Sequence, residues 1–428
     1  MTDRREQLLL EIERRRDDLI ALTQDLVRIP TLNPPGEYYR DICDYLEGRL
    51  RGKGFAIEMV RAEGAAGDSD RYPRWNIIAR KEGKSPGECL HFNSHTDVVT
   101  VGEGWTTDPF GGELKDGRIY GRGTCDMKGG LAASIVAAEA FIDVYPDFTG
   151  AVEISGTADE ETGGYGGVAY LASKGYFSPS RVQHVIIPEP LNKDRVCLGH
   201  RGVWWAEIET KGRIAHGSMP FLGDSAIRHM GAVLAEMEET LYPALAGKHT
   251  AMPVVPPQAR QSTMNINSIH GGQQEPEEGY TGFPSPVVAD SARIVVDRRY
   301  LIEETGDQVR QEIVDVLERV KARRPSFRYE LRELWQVSPT LTERNSPIVR
   351  SVAEAIHEVL HRDPDYVVSP GTYDQKHIDR IGKLKNCIAY GPGILDLAHQ
   401  PDEWVGVDDM VDSAKVMALT LLRLLGPR

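Results

Sequence analysis

Apolar and charged residues alternate over the first 28 positions with the spacing of one helix face. Leucine, isoleucine and valine recur there at intervals of one or two helical turns, and Pro30 and the turn NPPG end the pattern. Because proline lacks the N–H that a helix needs, the segment predicts one amphipathic helix over residues 4–28.

Short apolar runs then alternate with helical patterns as far as residue 199. The runs RWNIIAR, CLHFNSH, AVEISGTA and HVIIPEP indicate strands, and helical patterns lie at 38–52, 129–143 and 166–175. Alternating strands and helices are typical of a mostly parallel sheet with helices on both faces. An α/β fold is therefore expected for this part of the chain.

The pattern changes near Gly199. The half-exposed strand pattern VWWAEIETKG precedes a helix at 224–241 and a loop rich in Pro, Gly and Gln; the strand ARIVVDRRY, a helix at 306–323 and the strand FRYELRELW follow. This β-α-β-β-α-β order predicts a ferredoxin-like α+β unit. The α/β pattern resumes near 336 and ends in a helix at 408–425. We therefore expect one α/β domain from residues 1–199 and 336–428, interrupted by an inserted domain at 200–335.

Composition narrows the class of protein and its partners. The 64 acidic and 50 basic residues give a net charge of −14, which argues against nucleic acid and anionic membranes as partners. No run approaches the roughly 20 apolar residues of a membrane span, and the first residues are too charged for a secretory signal, so a cytoplasmic protein is expected. The five cysteines are scattered without a C-x-x-C pair. Any metal ligands should therefore be carboxylates and imidazoles.

The stretch LHFNSHTDVV places a histidine and an aspartate two residues apart at the end of a predicted strand. In an extended chain His95 and Asp97 point to the same side, where the carboxylate can orient the imidazole for metal binding. A pair without a metal, satisfied by its own hydrogen bond, fits the same spacing.

Two further segments carry carboxylates. Asp126 lies in the glycine-rich GRGTCDMKGG, which lacks both a dinucleotide-binding fingerprint and a P-loop. Asp159, Glu160 and Glu161 are adjacent in GTADEETGG, where their charges repel one another unless a divalent cation neutralises them. One acid would then bind metal, and its neighbour would take a proton from a water. A turn aspartate and a solvated acidic turn are the alternatives.

Glu189 follows the strand HVII, and His399 follows a glycine-rich turn near the end of the chain. With His95, Asp126 and Glu161 they make two imidazoles and three carboxylates, four of them at or just after predicted strand ends. Sheets of α/β proteins place their sites at such ends. A mixed nitrogen and oxygen set suits two zinc, manganese or cobalt ions better than magnesium or calcium.

The order of these motifs resembles that of the M20 metallopeptidase and deacylase superfamily, which includes acetylornithine deacetylase, succinyl-diaminopimelate desuccinylase, aminoacylase and glutamate carboxypeptidase. The similar segments run along nearly the whole chain: VRIPTLNPPG, HFNSHTDVV, GRGTCDMKGG, GTADEETGG, IPEP, GRIAHGSMP, YGPG and AHQPDEW. The resemblance implies a metallo-aminopeptidase-like catalytic domain at 1–199 and 336–428, and a lid and dimerisation domain at 200–335.

The resemblance also implies roles for individual residues. Two divalent ions, with zinc as the first choice and manganese or cobalt as alternatives, would share the bridging ligand Asp126. The other ligands would be His95 and Glu189 for one ion, and Glu161 and His399 for the second. Asp97 would orient His95, Glu160 would be the general base, and the peptide bond after Asp126 would be cis.

Two residues of the inserted domain have implied roles as well. His216 matches a histidine that reaches into the partner subunit's active site and polarises the scissile carbonyl, so a homodimer is expected; capping of the following helix is the alternative. Arg298 matches a position at which several relatives bind a substrate carboxylate, for which a guanidinium is well suited. An exposed strand arginine has the same sequence pattern.

Two segments depart from the family pattern. The chain has GFPSPVVADSARI where many relatives carry N-x-I-P, whose asparagine contributes to the oxyanion environment. It has PGTYDQKH where many relatives carry G-G-T-D-A. The second departure places Tyr373, Gln375, Lys376 and His377 near the expected substrate site, which indicates an unusual substrate preference.

The implied function is hydrolysis of a linear amide C–N bond in a small, carboxylate-bearing substrate, first of all deacylation of an N-acyl amino acid. Dipeptidase or carboxypeptidase activity and hydrolysis of aryl or carbamoyl amines are alternatives within the family. A small-molecule binding protein on the same fold is the alternative outside catalysis, although every ligand position and the base are filled. The segment GKSPG matches the G-x-S-x-G pattern of serine hydrolases, but that interpretation is excluded. Pro86 follows the serine and cannot donate an N–H to an oxyanion.

Overall fold

The computed structural model describes residues 3–272, 282, 283 and 285–427. They form two compact units. Unit 1 comprises Met1–Gly199, Leu341–Val367 and Tyr373–Arg428, and unit 2 comprises His200–Thr340 and Val368–Thr372. Of the segment GFPSPVVADSARI, Pro284 lies outside the described residues, as does most of the loop that precedes it.

The strands and helices account for most of the described chain. In chain order the strands are β1 (Ala56–Arg61), β2 (Trp75–Glu82), β3 (Ser85–His95), β4 (Glu113–Lys115), β5 (Arg118–Tyr120), β6 (Thr149–Thr157), β7 (His184–Ile187), β8 (Arg195–His200), β9 (Gly202–Lys211), β10 (Thr263–Gly271), β11 (Ser291–Tyr300), β12 (Arg328–Val337), β13 (Thr340–Leu341), β14 (Asp365–Ser369), β15 (Cys387–Ala389) and β16 (Trp404–Gly406). The helices are α1 (Arg4–Arg14), α2 (Arg16–Val27), α3 (Tyr39–Gly52), α4 (Gly129–Val144), α5 (Tyr170–Ser173), α6 (Ala226–Glu236), α7 (Tyr242–Ala246), α8 (Gly306–Arg323), α9 (Pro347–Leu360), α10 (Gln375–Arg380) and α11 (Val407–Leu425).

A mixed sheet forms the centre of unit 1, with the strand order β1-β2-β6-β3-β7-β15-β8. Strands β6, β3, β7 and β15 are parallel neighbours, whereas β1, β2 and β8 pair antiparallel at the two sides. Central parallel strands are covered on both faces, and every residue of β7 is accordingly buried. The predicted α/β fold class is confirmed, and the antiparallel strands lie towards the outside of the sheet.

Helix α4 shows why the core of unit 1 lies where it does. Its sequence GGLAASIVAAEAFIDV is apolar around the whole circumference, and residues 129–142 are all buried. A helix of this kind has no face for solvent and must be covered by other elements. It packs against α11, β3 and β6, whose apolar side chains belong to the same core.

Unit 2 contains a separate antiparallel sheet with the order β10-β11-β9-β12 and the chain order β9-α6-α7-β10-β11-α8-β12. Along β9, Trp204, Ala206 and Ile208 are buried, while the residues between them are only half-buried. This alternation is the one expected of a strand with one face against helices, here α6 and α8. The predicted ferredoxin-like arrangement is confirmed.

Two predicted helices differ in detail from the structure. The opening helix is divided at Arg15, whose ψ of 10° departs from helical values and whose guanidinium contacts Glu139 of α4. The helix predicted at 166–175 is reduced to α5, because Gly167 has the non-helical angles φ −110° and ψ −114°. Glycine adopts such conformations easily and weakens a helix interior.

Among the described residues, no helix combines the length and the apolar character that crossing a membrane requires.

Candidate active site

The first group of candidate metal ligands gathers at the carboxyl ends of β3 and β7 in unit 1. His95 is the last residue of β3, and Glu189 follows β7 by two positions. His95 Nε2 lies 3.0 Å from Asp126 Oδ1 and 4.0 Å from Glu189 Oε1. Donor atoms of these three residues lie within 4.8 Å of one another, which is compatible with one shared cation.

A second group contains Asp126, Glu161 and His399, again with donor atoms within 4.8 Å of one another. His399 Nε2 lies 3.1 Å from Glu161 Oε2 and 3.5 Å from Asp126 Oδ2. Asp126 therefore presents one carboxylate oxygen to each group, and the peptide bond between Asp126 and Met127 is cis. The structure brings together all five residues that the resemblance named as ligands.

Asp97 is fully buried beside these ligands. It contacts both the ligand His95 and the acidic turn that carries Glu161. Its Oδ1 lies 3.6 Å from His95 Nδ1, which is closer to the backbone oxygen of Asp97, at 3.0 Å. The two carboxylate oxygens accept hydrogen bonds from the backbone N–H groups of Glu160 and Glu161 at 3.2 and 3.1 Å. Asp97 thus fixes the acidic turn as well as the histidine.

Each acid of the turn GTADEETGG faces its own partner in unit 1. Asp159 pairs with the buried Arg74 at 3.0 Å and accepts a hydrogen bond from the Tyr39 hydroxyl. Glu160 accepts a hydrogen bond from Lys376 Nζ at 3.0 Å, and Glu161 faces His399. Three adjacent carboxylates are tolerated because their side chains diverge towards different partners.

Burial and mutual repulsion dominate the electrostatics of the two groups. Burial raises the pKa of Glu161 to about 8, and burial together with the charge of Asp126 raises the pKa of Glu189 well above its usual range. Hydrogen bonds to Asp126 and Glu161 raise the pKa of His399 to about 10. The site therefore favours additional positive charge in its centre.

The residues present fit two divalent cations. Oε1 of Glu189 is buried and has no hydrogen-bond partner among the described residues, although an acceptor oxygen in such a place requires one. A cation between Glu189, His95 and Asp126 would satisfy it. The donor set of imidazoles and carboxylates belongs to metals such as zinc, manganese and cobalt.

Sequence patterns did not reveal how three residues hold this site, although they placed Lys376 near the substrate. Glu403 accepts hydrogen bonds from the backbone N–H groups of Gly123, Cys125 and Asp126 at 3.1, 2.9 and 3.0 Å, and thereby fixes the turn of the bridging aspartate. Arg74 and Lys376 are the cations of the acidic turn. Glu403 lies inside the quoted motif AHQPDEW, but Arg74 and Lys376 lack any local signal of their roles.

The two candidate residues of unit 2 have different surroundings. His216 is exposed, and its Nδ1 accepts a hydrogen bond from the Ser218 backbone N–H at 3.1 Å. It does not cap α6, because the Ser225 side chain occupies that position. Arg298 is fully buried, and its Nη2 donates to Glu304 at 2.7 Å and to Glu312 at 3.2 Å. In the structure Arg298 therefore forms ion pairs within unit 2. Its role as a substrate ligand stays a prediction.

The fold and the paired ligand groups define a metallohydrolase. The chain belongs to the peptidase family M20/M25/M40, whose sequence profile matches residues 91–423. It is accordingly an enzyme that acts on C–N bonds, and the resemblance found in its motifs is confirmed.

Curated relatives and solved structures agree with this family. The chain is 30% identical over 415 residues to the succinyl-diaminopimelate desuccinylase of Methylobacillus flagellatus, covering 95% of this chain and 99% of the relative. Human carnosine dipeptidase 1 has a similar structure, with a TM-score of 0.75, 19% identity and coverage of 98% of both chains. The Bacillus subtilis YXEP protein, a dinuclear metal-binding peptidase of the M20 family, gives a TM-score of 0.67 at 15% identity, with coverage of 96% of this chain and 99% of that one.

Proposed function

We propose that this enzyme removes the acyl group from an N-acyl amino acid, with Glu160 as the general base. The observation that carries the proposal is the pair of three-residue ligand groups that share Asp126, with Glu160, the chain neighbour of Glu161, outside both groups. The similarity to a desuccinylase over nearly the full length of both chains supports an N-acylated substrate. A cytoplasmic location is proposed because all five cysteines are free thiols, as is usual in the cytosol.

The metal ligands would be those of the two groups, with His95 and Glu189 on one ion, Glu161 and His399 on the other, and Asp126 on both. Zinc is the first choice because the ligands include two imidazoles. When bound, such ions would lower the pKa of a water towards about 7 and polarise a carbonyl oxygen.

The chain's own residues would then move the proton and hold the geometry. Glu160 takes the proton of the attacking water at its carboxylate and delivers it to the departing nitrogen, so that the amine leaves in neutral form. Asp97 keeps the imidazole of His95 in place and holds the backbone of Glu160 and Glu161 through two hydrogen bonds. His216 would donate a hydrogen bond to the oxygen that becomes negative as the carbonyl is attacked.

A homodimer through unit 2 completes the proposal. The exposed side chain of His216 contacts Ser218 and leaves the ring open on the surface, as a histidine acting on a partner subunit needs. Strand β10 ends the sheet order, and Ile269 on it and Ile227 on α6 are 58% and 48% exposed. An edge strand with apolar side chains favours pairing with another chain.

The substrate screen should also include peptides and amines of other kinds. The similarity to a dipeptidase structure favours peptides as the second substrate class, and aryl or carbamoyl amines form a third. A binding protein without catalysis would be expected to lack the base, and Glu160 is present directly before the ligand Glu161.

The test is a substrate panel with a matched pair of variants. N-succinyl-diaminopimelate, N-acetylornithine, N-acetylmethionine, a dipeptide and a carbamoyl amine are offered to the zinc-loaded wild type, Glu160→Gln and the exposed control Glu103→Gln. We expect about two zinc ions per chain in all three proteins, and a loss of turnover of at least about 100-fold in Glu160→Gln only. Wild-type protein that binds zinc and hydrolyses none of the three N-acyl amino acids would refute the deacylase assignment. Equal turnover in wild type and Glu160→Gln would refute the role of Glu160.

A further inference from the structure

Lys376 places an ammonium group against the proposed general base. Its Nζ donates to Glu160 Oε1 at 3.0 Å, and the side chains of Lys376 and Glu160 are only 3% and 12% exposed. Burial alone would lower the pKa of Lys376, but the charges of Glu160 and Asp374 outweigh it and raise that pKa. A buried charge is strongly unfavourable unless it is paired. The ammonium of Lys376 therefore needs the carboxylate of Glu160 as its partner.

The residues on both sides of Lys376 are fixed by buried hydrogen bonds within unit 1. The Gln375 side-chain amide donates to the backbone oxygen of Cys387 at 2.9 Å and to Thr342 Oγ1 at 3.0 Å. The His377 Nε2 donates to the backbone oxygen of Gly163 at 2.7 Å, next to the acidic turn. The backbone that carries Lys376 is therefore held, and its side chain has little choice of direction.

Asp374 joins this segment to a buried polar stripe, which we define as Glu153, His91, Ser155 and Asn93. Asn93 Nδ2 donates to Asp374 Oδ2 at 3.2 Å, and Asn93 Oδ1 accepts a hydrogen bond from Ser155 Oγ at 2.8 Å. His91 Nε2 lies 2.7 Å from Ser155 Oγ, and its Nδ1 lies 2.9 Å from Glu153 Oε1. All four residues of the polar stripe are 0% exposed.

The register of β3 and β6 explains why the polar stripe points at the site. His91 lies opposite Glu153, Asn93 opposite Ser155, and His95 opposite Thr157, on parallel neighbours. Because side chains two apart share a face, the stripe follows one face of the sheet and ends at the ligand His95. The hydrogen bond from Asn93 to Asp374 ties the segment with Asp374 and Lys376 to this buried stripe.

We propose that Lys376 is the positioning residue of Glu160: its ammonium holds the carboxylate in the direction in which it takes the proton of the attacking water. The inference rests on the proposed function, because it requires Glu160 to be the base. Glu160 lies on a tight turn. Among the described residues, Lys376 is the one side chain seen to donate a hydrogen bond to its carboxylate. Without Lys376 the carboxylate would rotate among several rotamers, and the productive one would be populated for only part of the time.

The catalytic test is a double-mutant cycle on the substrate that the panel identifies. The variants are Lys376→Met, Lys376→Arg, Glu160→Gln and the double variant Lys376→Met/Glu160→Gln, with Lys385→Met as a control for an exposed lysine. We expect Lys376→Met to lower kcat by about 10-fold to 100-fold at unchanged KM and zinc content, and Lys376→Arg to recover most of the loss. In the Glu160→Gln background the same change should have no further effect on kcat, because no base is left to position.

A second measurement needs no turnover. In metal-free protein the shifts in the urea midpoint caused by Lys376→Met and Glu160→Gln should not add, because both remove the same ion pair. Additive shifts together with equal losses of kcat in the two backgrounds would overturn the inference. If the wild type hydrolyses nothing, the proposed function fails, while non-additive midpoints would still establish the pair. If Lys376→Met does not fold, Lys376→Gln replaces it, and a kcat for Lys376→Arg as low as that of Lys376→Gln would overturn the inference.

Discussion

The polar stripe allows a sharp prediction about Glu153, its outermost member. The Glu153 carboxylate is fully buried and lies 2.8 Å from Arg181 Nη2, 3.1 Å from Arg80 Nη1 and 2.9 Å from His91 Nδ1. Glu153→Gln keeps the shape of the side chain and removes its charge. The two guanidinium groups and the imidazole then lose their common anion, so we expect a large loss of stability.

The magnitude follows from the pKa of this carboxyl group. Burial raises it, but His91 and Arg181 outweigh burial and bring the pKa of Glu153 from 4.5 down to about 2. At about 1.4 kcal/mol for each tenfold change in acidity, the ionised carboxylate stabilises the folded protein by about 3 kcal/mol at pH 7. Because the folded-state pKa is the lower one, this stabilisation is present above pH 4.5 and is lost as the pH falls towards about 2.

The assay is urea unfolding of metal-free protein, followed by tryptophan fluorescence at pH 7 and at pH 3.5. Wild type should exceed Glu153→Gln by about 3 kcal/mol at pH 7 and by about 2 kcal/mol at pH 3.5. Glu82→Gln is the matched control, because Glu82 pairs with the same Arg80 at 2.6 Å but is 67% exposed. An exposed pair contributes at most about 1 kcal/mol.

Two results would refute this reasoning. A difference between wild type and Glu153→Gln as small as that of the Glu82→Gln control would mean that the buried carboxylate is not held as an anion. A difference that is the same at pH 3.5 and at pH 7 would mean that the loss comes from packing, since packing does not titrate in this range.

Further predictions concern the metal, unit 2 and one glycine. Removing divalent ions with a chelator should lower the thermal midpoint, and zinc should restore it in calorimetry, because bound cations stabilise only the folded site. Arg298→Met should destabilise the protein by about 1 to 3 kcal/mol in urea, since Glu304 and Glu312 lose the buried guanidinium and keep only Lys248. Arg299→Met should change the stability by about 1 kcal/mol or less. A role of Arg298 in substrate binding predicts instead a raised KM at an unchanged midpoint. Gly130→Ala would press a Cβ against the carbonyl oxygen of Pro188 and displace Glu189, so zinc affinity in titration calorimetry should fall about tenfold or more.

The sequence predicts the part of this molecule that obeys regular patterns. Helix α8 begins and ends where the spacing of its apolar residues indicated, and the apolar run HVII becomes the buried strand β7. Four of the five candidate ligands lie at or just after predicted strand ends, which converge on one edge of an α/β sheet, and the family resemblance named all five. Their catalytic roles stay predictions, which the substrate panel and the zinc measurements test.

The partners of the acidic turn could not be read from local patterns. Lys376 lies 216 positions after Glu160, and Arg74 lies 85 positions before Asp159. A single cation carries no periodicity, so only the folded chain reveals which carboxylate it meets. The division of the opening helix at Arg15 has the same origin, because the contact with Glu139 joins residues 124 positions apart.

The position of β15 in the central sheet implies that the sheet is completed only after nearly the whole chain has been synthesised. This strand lies between β7 and β8, although nearly two hundred residues separate it from either in the chain, and His399 follows it by ten positions. Such distant pairings form late, because the intervening chain must first be closed into a loop. A ribosome that stops after unit 2 therefore releases a product that contains His95, Asp126 and Glu189 but lacks the strand between β7 and β8. Such a product would have an open sheet edge beside β7, and the ligand group of Asp126 and Glu161 would lack His399.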